Sequence, residues 1–225
     1  SPKLLSKVKI SGGGRCNVTH RPMEISKLVK NYPRGEKFLK KAFAQNQEEE
    51  ILKLSADIAH YIADAHVPLH ASSNHNGQKT DQLGIHGFWE SRLPELFAEK
   101  NYDMFIGKAV YLNDPLGFIW DRIYESSAAA DTVLQFEKQL SQQFSDHERM
   151  SYEYRNNKLM RQYSEKYASA YHKKLNGMVE RRMRQAVFGV ASVWFTAWVN
   201  AGQPDLRAMI SAKPLFPSEE WQWLN

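Results

Sequence analysis

The chain has 225 residues, 42% apolar and 24% charged, the balance of a globular protein that fills one sizeable core or two modest ones. No run approaches the ~18 consecutive apolar residues of a membrane-spanning helix, and a single cysteine, Cys16, excludes an internal disulfide and any four-cysteine metal site. The net charge of +5 is unevenly placed: residues 1–45 hold 11 Lys+Arg against two acids while residues 46–225 are net acidic, so the basic balance carries no general argument for nucleic-acid binding.

The first residues, Ser1-Pro2-Lys3, lack the pattern of a signal peptide. Ser11-Gly12-Gly13-Gly14-Arg15-Cys16-Asn17 reads as a glycine-rich loop, with Val8 and Ile10 ending a short strand before it. Residues 26–29 and 35–44 have weak helical character, broken by Pro33. From Gln47 the chain turns strongly helical: Ile51, Leu54, Ile58 and Ile62 recur at three- and four-residue spacing, an apolar stripe that Pro68 ends. Residues 71–84, with Asn74-His75-Asn76-Gly77, read as a loop. A second helix is expected from near Ile85 through residues 89–97, with Pro94 a candidate break. Asp114-Pro115 reads as an N-cap followed by proline at the first helical position. Helices are then expected over about 115–125, 128–144, 158–176 and 178–200, closed by Gly202-Gln203-Pro204. The most apolar run, residues 186–199, is interrupted by Gly189, Ser192 and Thr196 and reads as a buried helix; the tail with Trp221 and Trp223 is expected to dock on the bundle. With no β-alternation of useful length and no repeat, the expected fold class is all-α: a helical domain over residues 46–225 behind a short irregular segment, residues 1–45.

Five of the eight histidines fall between residues 60 and 86. His60 and Asp64 are four apart, as are His86 and Glu90, which puts each pair on one helix face about a turn apart. His70 follows the proline stop, where the chain can turn back toward the first pair. Imidazoles and carboxylates suit zinc at about 2.0–2.2 Å, and a carboxylate such as Asp64 can bridge paired metals ~3.5–4 Å apart. The candidate metal ligands are therefore His60, Asp64, His70, His86 and Glu90. Any one of these histidines alone reads more simply as an ordinary surface or core residue; two such pairs with a histidine between them are harder to assign to coincidence. His66 lies off the main face and reads as supporting or structural, and His75 as a solvated loop residue.

The stretch His60-Tyr61-Ile62-Ala63-Asp64-Ala65-His66-Val67-Pro68-Leu69-His70, followed by His86-Gly87-Phe88-Trp89-Glu90, resembles the signature of the zinc-dependent phospholipase C and fungal single-strand nuclease superfamily. That signature is His-x3-Asp-x5-His, a loop, then His-x3-Asp or Glu. The resemblance runs from about residue 46 to the end and implies an all-α bundle of that type. It implies hydrolysis of a phosphodiester, in a phospholipid or a single-stranded nucleic acid, and a secreted or periplasmic setting. It also implies zinc, up to three ions in the family: His60 would bind one, Asp64 would bridge to another, and His70, His86 and Glu90 would hold a further one. Glutamate at position 90 leans to the phospholipase branch. Upstream the chain departs from the pattern. The family draws ligands there from an N-terminal tryptophan, histidines and an aspartate, whereas here only His20 precedes His60 and the acids before its helix are Glu24 and Glu36. The three-ligand site is complete; the other two are not.

Residues 3–19, with Asn31-Tyr32-Pro33-Arg34-Gly35-Glu36-Lys37-Phe38-Leu39, resemble an internal part of a bacterial two-domain FAD-dependent flavoprotein family whose glycine loop lies against the flavin. The Gly-x-Gly-x-x-Gly turn that carries FAD binding is absent, and so short a segment cannot build a dinucleotide fold, so FAD binding is not expected. The change of character near Gln45-Asn46 is that of a fragment of one protein joined to most of another. Alternatives to a phosphoesterase are a zinc-binding helical protein without catalysis, a flavin-dependent redox fragment, and a helical interaction module with incidental histidines. Arg181-Arg182-Met183-Arg184 reads as a solvated basic face or a phosphate- or lipid-meeting cluster; Trp194, Phe195 and Trp198 read as core.

Overall fold

The stripe of Ile51, Leu54, Ile58 and Ile62 lies on one helix, α2 (Glu48–Ala65), whose first turn sets Glu48, Glu49 and Glu50 at the positive end of the helix dipole. The computed structural model describes residues 34–155 and 157–209. The glycine-rich loop, Cys16, His20 and the tryptophan-bearing tail lie outside the described residues. The helix before α2, α1 (Arg34–Ala44), brings Leu39 and Phe43 against Ile58 and Ile62 of α2 and Val193 and Ala197 of α8 (Met178–Asn200). The described part of residues 1–45 thus shares a core with the helical region that follows it.

After α2 come a 3-10 turn (Pro68–Ala71), a short helix α3 (Ile85–Gly87), a π turn (Phe88–Arg92) and α4 (Leu93–Asn101). Pro94 does not break this stretch. The helix widens ahead of it: Leu93 N–H bonds back to Phe88 O, one residue further than an α-helix reaches. α5 (Pro115–Ser141) is one long helix where two were expected. Asp114 caps it, accepting from Gly117 N at 2.9 Å. Ser126, in the gap between the two expected helices, is fully buried inside it, and its hydroxyl donates across to Ala65 O at 2.6 Å rather than competing with its own helix.

The all-α expectation holds in that the described chain is mostly helical, and it needs one correction. Short α6 (Asp146–Arg149) leads into an antiparallel hairpin, β1 (Met150–Arg155) and β2 (Lys158–Tyr163), before α7 (Glu165–Lys174). The expected helix over 158–176 is therefore a strand followed by a shorter helix. Its start is set by Ser164, whose hydroxyl accepts from Tyr167 N. The alternation Tyr152, Tyr154 against Ser151, Glu153 was the signal for the strand, and Asn157, at φ 61°, supplies the left-handed turn residue. α9 (Leu206–Met209) ends the described chain. No helix among the described residues is long and apolar enough to cross a membrane.

The polar interruptions of α8 have partners. Ser192 Oγ accepts Val110 N at 3.2 Å and Thr196 Oγ1 accepts Leu112 N at 2.9 Å, so two hydroxyls one turn apart hold an extended strap against the helix. Gly189 lets Phe118 and Ile62 approach where a side chain would press on both. In the second core, Phe88 stacks on Tyr163 and Tyr171, with centroids 3.8 and 5.0 Å away. Glu137 is buried beside them, accepting from Tyr167 Oη at 2.6 Å and Gln82 Nε2 at 2.5 Å. Tyr167→Phe would remove one of those donors from a buried carboxylate. The expected result is a loss of about 1–3 kcal/mol in urea unfolding with unchanged far-UV circular dichroism; a loss within error would show that Glu137 does not depend on that hydroxyl.

Candidate metal centre

The proline stop after α2 makes the 3-10 turn in which His70 sits, its N–H bonded to Val67 O at 3.1 Å and its ring almost wholly buried. His86 lies on α3 and Glu90 on the π turn, so the second pair stays on one face despite the widening, with His86 Nε2 2.9 Å from Glu90 Oε1. Across the loop, His70 Nε2 lies 3.1 Å from His86 Nε2 and 3.1 Å from Glu90 Oε2. Ligand atoms of these three residues lie within 4.8 Å of one another, and the group could hold a metal ion. Tetrahedral bonds of ~2.0–2.1 Å place neighbouring ligand atoms ~3.3 Å apart, which is close to the spacing seen here.

The protons make the same point. Glu90 takes hydrogen bonds from both imidazoles, and burial, which raises its pKa, is outweighed by those bonds and by the histidine charges, holding it down to about 2. If both Nε2 atoms carry a proton toward Glu90, the Nε2–Nε2 contact sets two donors face to face. A cation among the three lets both nitrogens and the carboxylate act as electron-pair donors and removes the conflict.

His60 and Asp64 stand behind this group and not in it. Asp64 Oδ1 lies 3.4 Å from His70 Nδ1, and Asp64 Oδ2 3.6 Å from His60 Nε2. Asp64 therefore stands at ion-pair distance from the far nitrogen of His70, the place from which a carboxylate can orient a ligating ring. His60 is the most exposed of the set. His86 Nδ1 is buried and, among the described residues, has no hydrogen-bond partner. His66 Nδ1 donates to Ile62 O at 2.7 Å; burial pushes its pKa down to about 4 against that bond, with Arg182 and Arg122 adding to the fall. It is a neutral structural histidine. His75, set aside in the sequence, comes edge-on to His86 with ring centroids 6.2 Å apart. Its place in a loop hid that approach.

The loop that joins the two ligand-bearing segments has its own supports. Asn74 Oδ1 accepts Lys79 N at 2.8 Å, Asn76 Oδ1 accepts Gly84 N at 3.1 Å, and Gln82 Nε2 reaches Leu134 O at 2.9 Å. Gly77 has φ 73°, and a Cβ there would collide with the Gln82 backbone.

Searches of family models, curated proteins and solved structures return no match to this chain.

Gly77→Ala is expected to destabilise by about 1–3 kcal/mol, because it combines a left-handed backbone with a steric clash. Gly87→Ala, on the exposed side of the same region with open space around it, is expected to be neutral or mildly stabilising. Thermal unfolding of the two variants side by side checks this; equal effects would discount the turn.

Proposed function

We propose that this chain is a zinc-dependent phosphodiester hydrolase of the phospholipase C-like kind, its helices forming a bundle of the zinc phospholipase C and nuclease type. The observation that carries the reading is the meeting of His70, His86 and Glu90 from segments 16 and 20 residues apart. Two imidazoles and a glutamate are a recurrent zinc donor set, and three protein ligands leave a tetrahedral ion one position for water or substrate. The His-x3-Asp-x5-His and His-x3-Glu spacing supports the same choice, and glutamate at position 90 favours a phospholipid over a single-stranded nucleic acid as substrate.

A zinc ion held there supplies Lewis acidity, lowering the pKa of water toward ~7 and offsetting charge that builds on phosphate oxygens. His70, His86 and Glu90 are the residues that hold it. Asp64, 3.4 Å from the far nitrogen of His70, is placed to orient that ring. Glu90 stays ionised across the neutral range and adds a negative charge to the donor set.

A second reading, a zinc-binding helical protein without turnover, draws on one observation: among the described residues a single three-ligand group is present. Metal content and activity separate the two. The hydrolase predicts cleavage of a lipid phosphodiester analogue, faster than of single-stranded DNA, that chelator abolishes and zinc restores. One zinc per chain with no cleavage supports the second reading. His70→Ala and His86→Ala are each expected to weaken zinc by more than the ~10–100-fold that loss of an outer-shell partner costs. Cleavage that persists in chelator would reject the metal mechanism.

A further inference from the structure

Arg182, at the centre of the basic run on α8, does not face solvent: it is 7% exposed. Its guanidinium has five N–H donors, and each finds an acceptor. Nε donates to His66 O at 2.8 Å. Nη2 donates to Arg122 O at 3.0 Å and to Ser126 Oγ. Nη1 donates to Glu125 Oε2 at 2.8 Å and Gln185 Oε1 at 3.0 Å. Ser126 Oγ in turn donates to Ala65 O at 2.6 Å. Two successive carbonyls at the end of α2, those of Ala65 and His66, are thus held by one side chain, the first through Ser126 and the second directly.

Those carbonyls lie between Asp64 and His70. A helix end leaves its last carbonyls without intrahelical donors, and Pro68 offers no N–H of its own. The remaining bonds of the turn are local: His66 N to Ala63 O, Val67 N to Asp64 O and His70 N to Val67 O. Without an outside donor the Ala65 and His66 carbonyls would be free to reorient, and the approach of Asp64 to His70 would reorient with them. The positive charge also stands where the helix dipole is negative.

We propose that Arg182 is a positioning residue of the metal centre, fixing the Asp64-to-His70 turn, and with it the His70 ring, by clamping the Ala65 and His66 carbonyls. The inference rests on the metal-binding reading above. An arginine that only held the bundle together would lower stability and leave the metal affinity of the folded chain unchanged. One that positions His70 must move the affinity.

The test uses the full chain, with zinc affinity read by competition with a chromophoric chelator and ligand geometry by the visible absorption of the cobalt(II) form. Arg182→Lys keeps the charge and loses the fork. It is expected to bind zinc ~10–100-fold more weakly, the range for lost outer-shell support, with an altered cobalt spectrum and native circular dichroism. Ser126→Ala, which removes only the arm to Ala65, is expected to shift both readouts in the same direction by less. Arg181→Ala, a neighbouring charge bonded to Asn176 O on the surface, is expected to change neither. A folded Arg182→Lys chain with unaltered affinity and spectrum overturns the proposal. If that variant does not fold, a folded Ser126→Ala chain with both readouts unaltered does so. An unsubstituted chain that takes up neither zinc nor cobalt brings down the metal-centre reading itself, and this inference with it.

Discussion

The side chain of Gln82 ties the loop before the second pair of ligands to the long helix α5. Both of its amide hydrogens are spent there, on Leu134 O and on the buried carboxylate of Glu137, so the amide cannot turn over without setting acceptor against acceptor. That anchor fixes where the loop ends and where Ile85 enters the core, and so where His86 and Glu90 point. Glu137 is itself held by Tyr167, whose ring is part of the stack around Phe88. The order of the candidate centre is thus continuous with the order of the aromatic core: no ligand is set on a segment that packs independently.

The legible part of this molecule is the part governed by short range. The pairs His60–Asp64 and His86–Glu90 follow from four-residue spacing alone, and the apolar stripe of α2 and the Asp114 cap of α5 were visible for the same reason. What spacing could not give is which pair comes forward. The structure brings His86 and Glu90 to His70 and leaves His60 behind Asp64, because that choice depends on how the 3-10 turn and the loop pack against α5. The hairpin was missed because its large side chains, Tyr152, Tyr154, Leu159 and Met160, are exposed and mark no buried face, and the alternation through Tyr152 and Tyr154 is short.

A common thread elsewhere is the small or charged residue inside a helix. Ser126 fell in the gap between two expected helices, Ser192 and Thr196 interrupted an apolar run read as a buried helix, and Arg182 belonged to a run read as a solvated face or a phosphate- or lipid-meeting cluster. Each receives or supplies a hydrogen bond for a backbone group on a different element. Sequence reading cannot supply the partners of such residues, because they lie far away along the chain. In a mostly helical fold with long irregular connections, the unpaired N–H and C=O groups of those connections are the partners, and buried polar groups of this kind are almost always satisfied.

The π turn has a consequence for how this centre tolerates change in length. It holds one residue more than an α-helical turn, between His86 upstream and Arg92, which is fastened to Tyr163 O and to Glu153 of the hairpin. Deleting a single residue there would let the winding relax to a regular helix while the segments on either side kept nearly the same phase, because the wide turn carries one residue more over about the same rotation and rise. In a regular helix, by contrast, the loss of one residue swings everything beyond it by ~100° and shifts it by ~1.5 Å. The surplus residue is therefore slack held between two fixed points, so that Glu90 can stay with His86 and Arg92 with the hairpin in a chain one residue shorter.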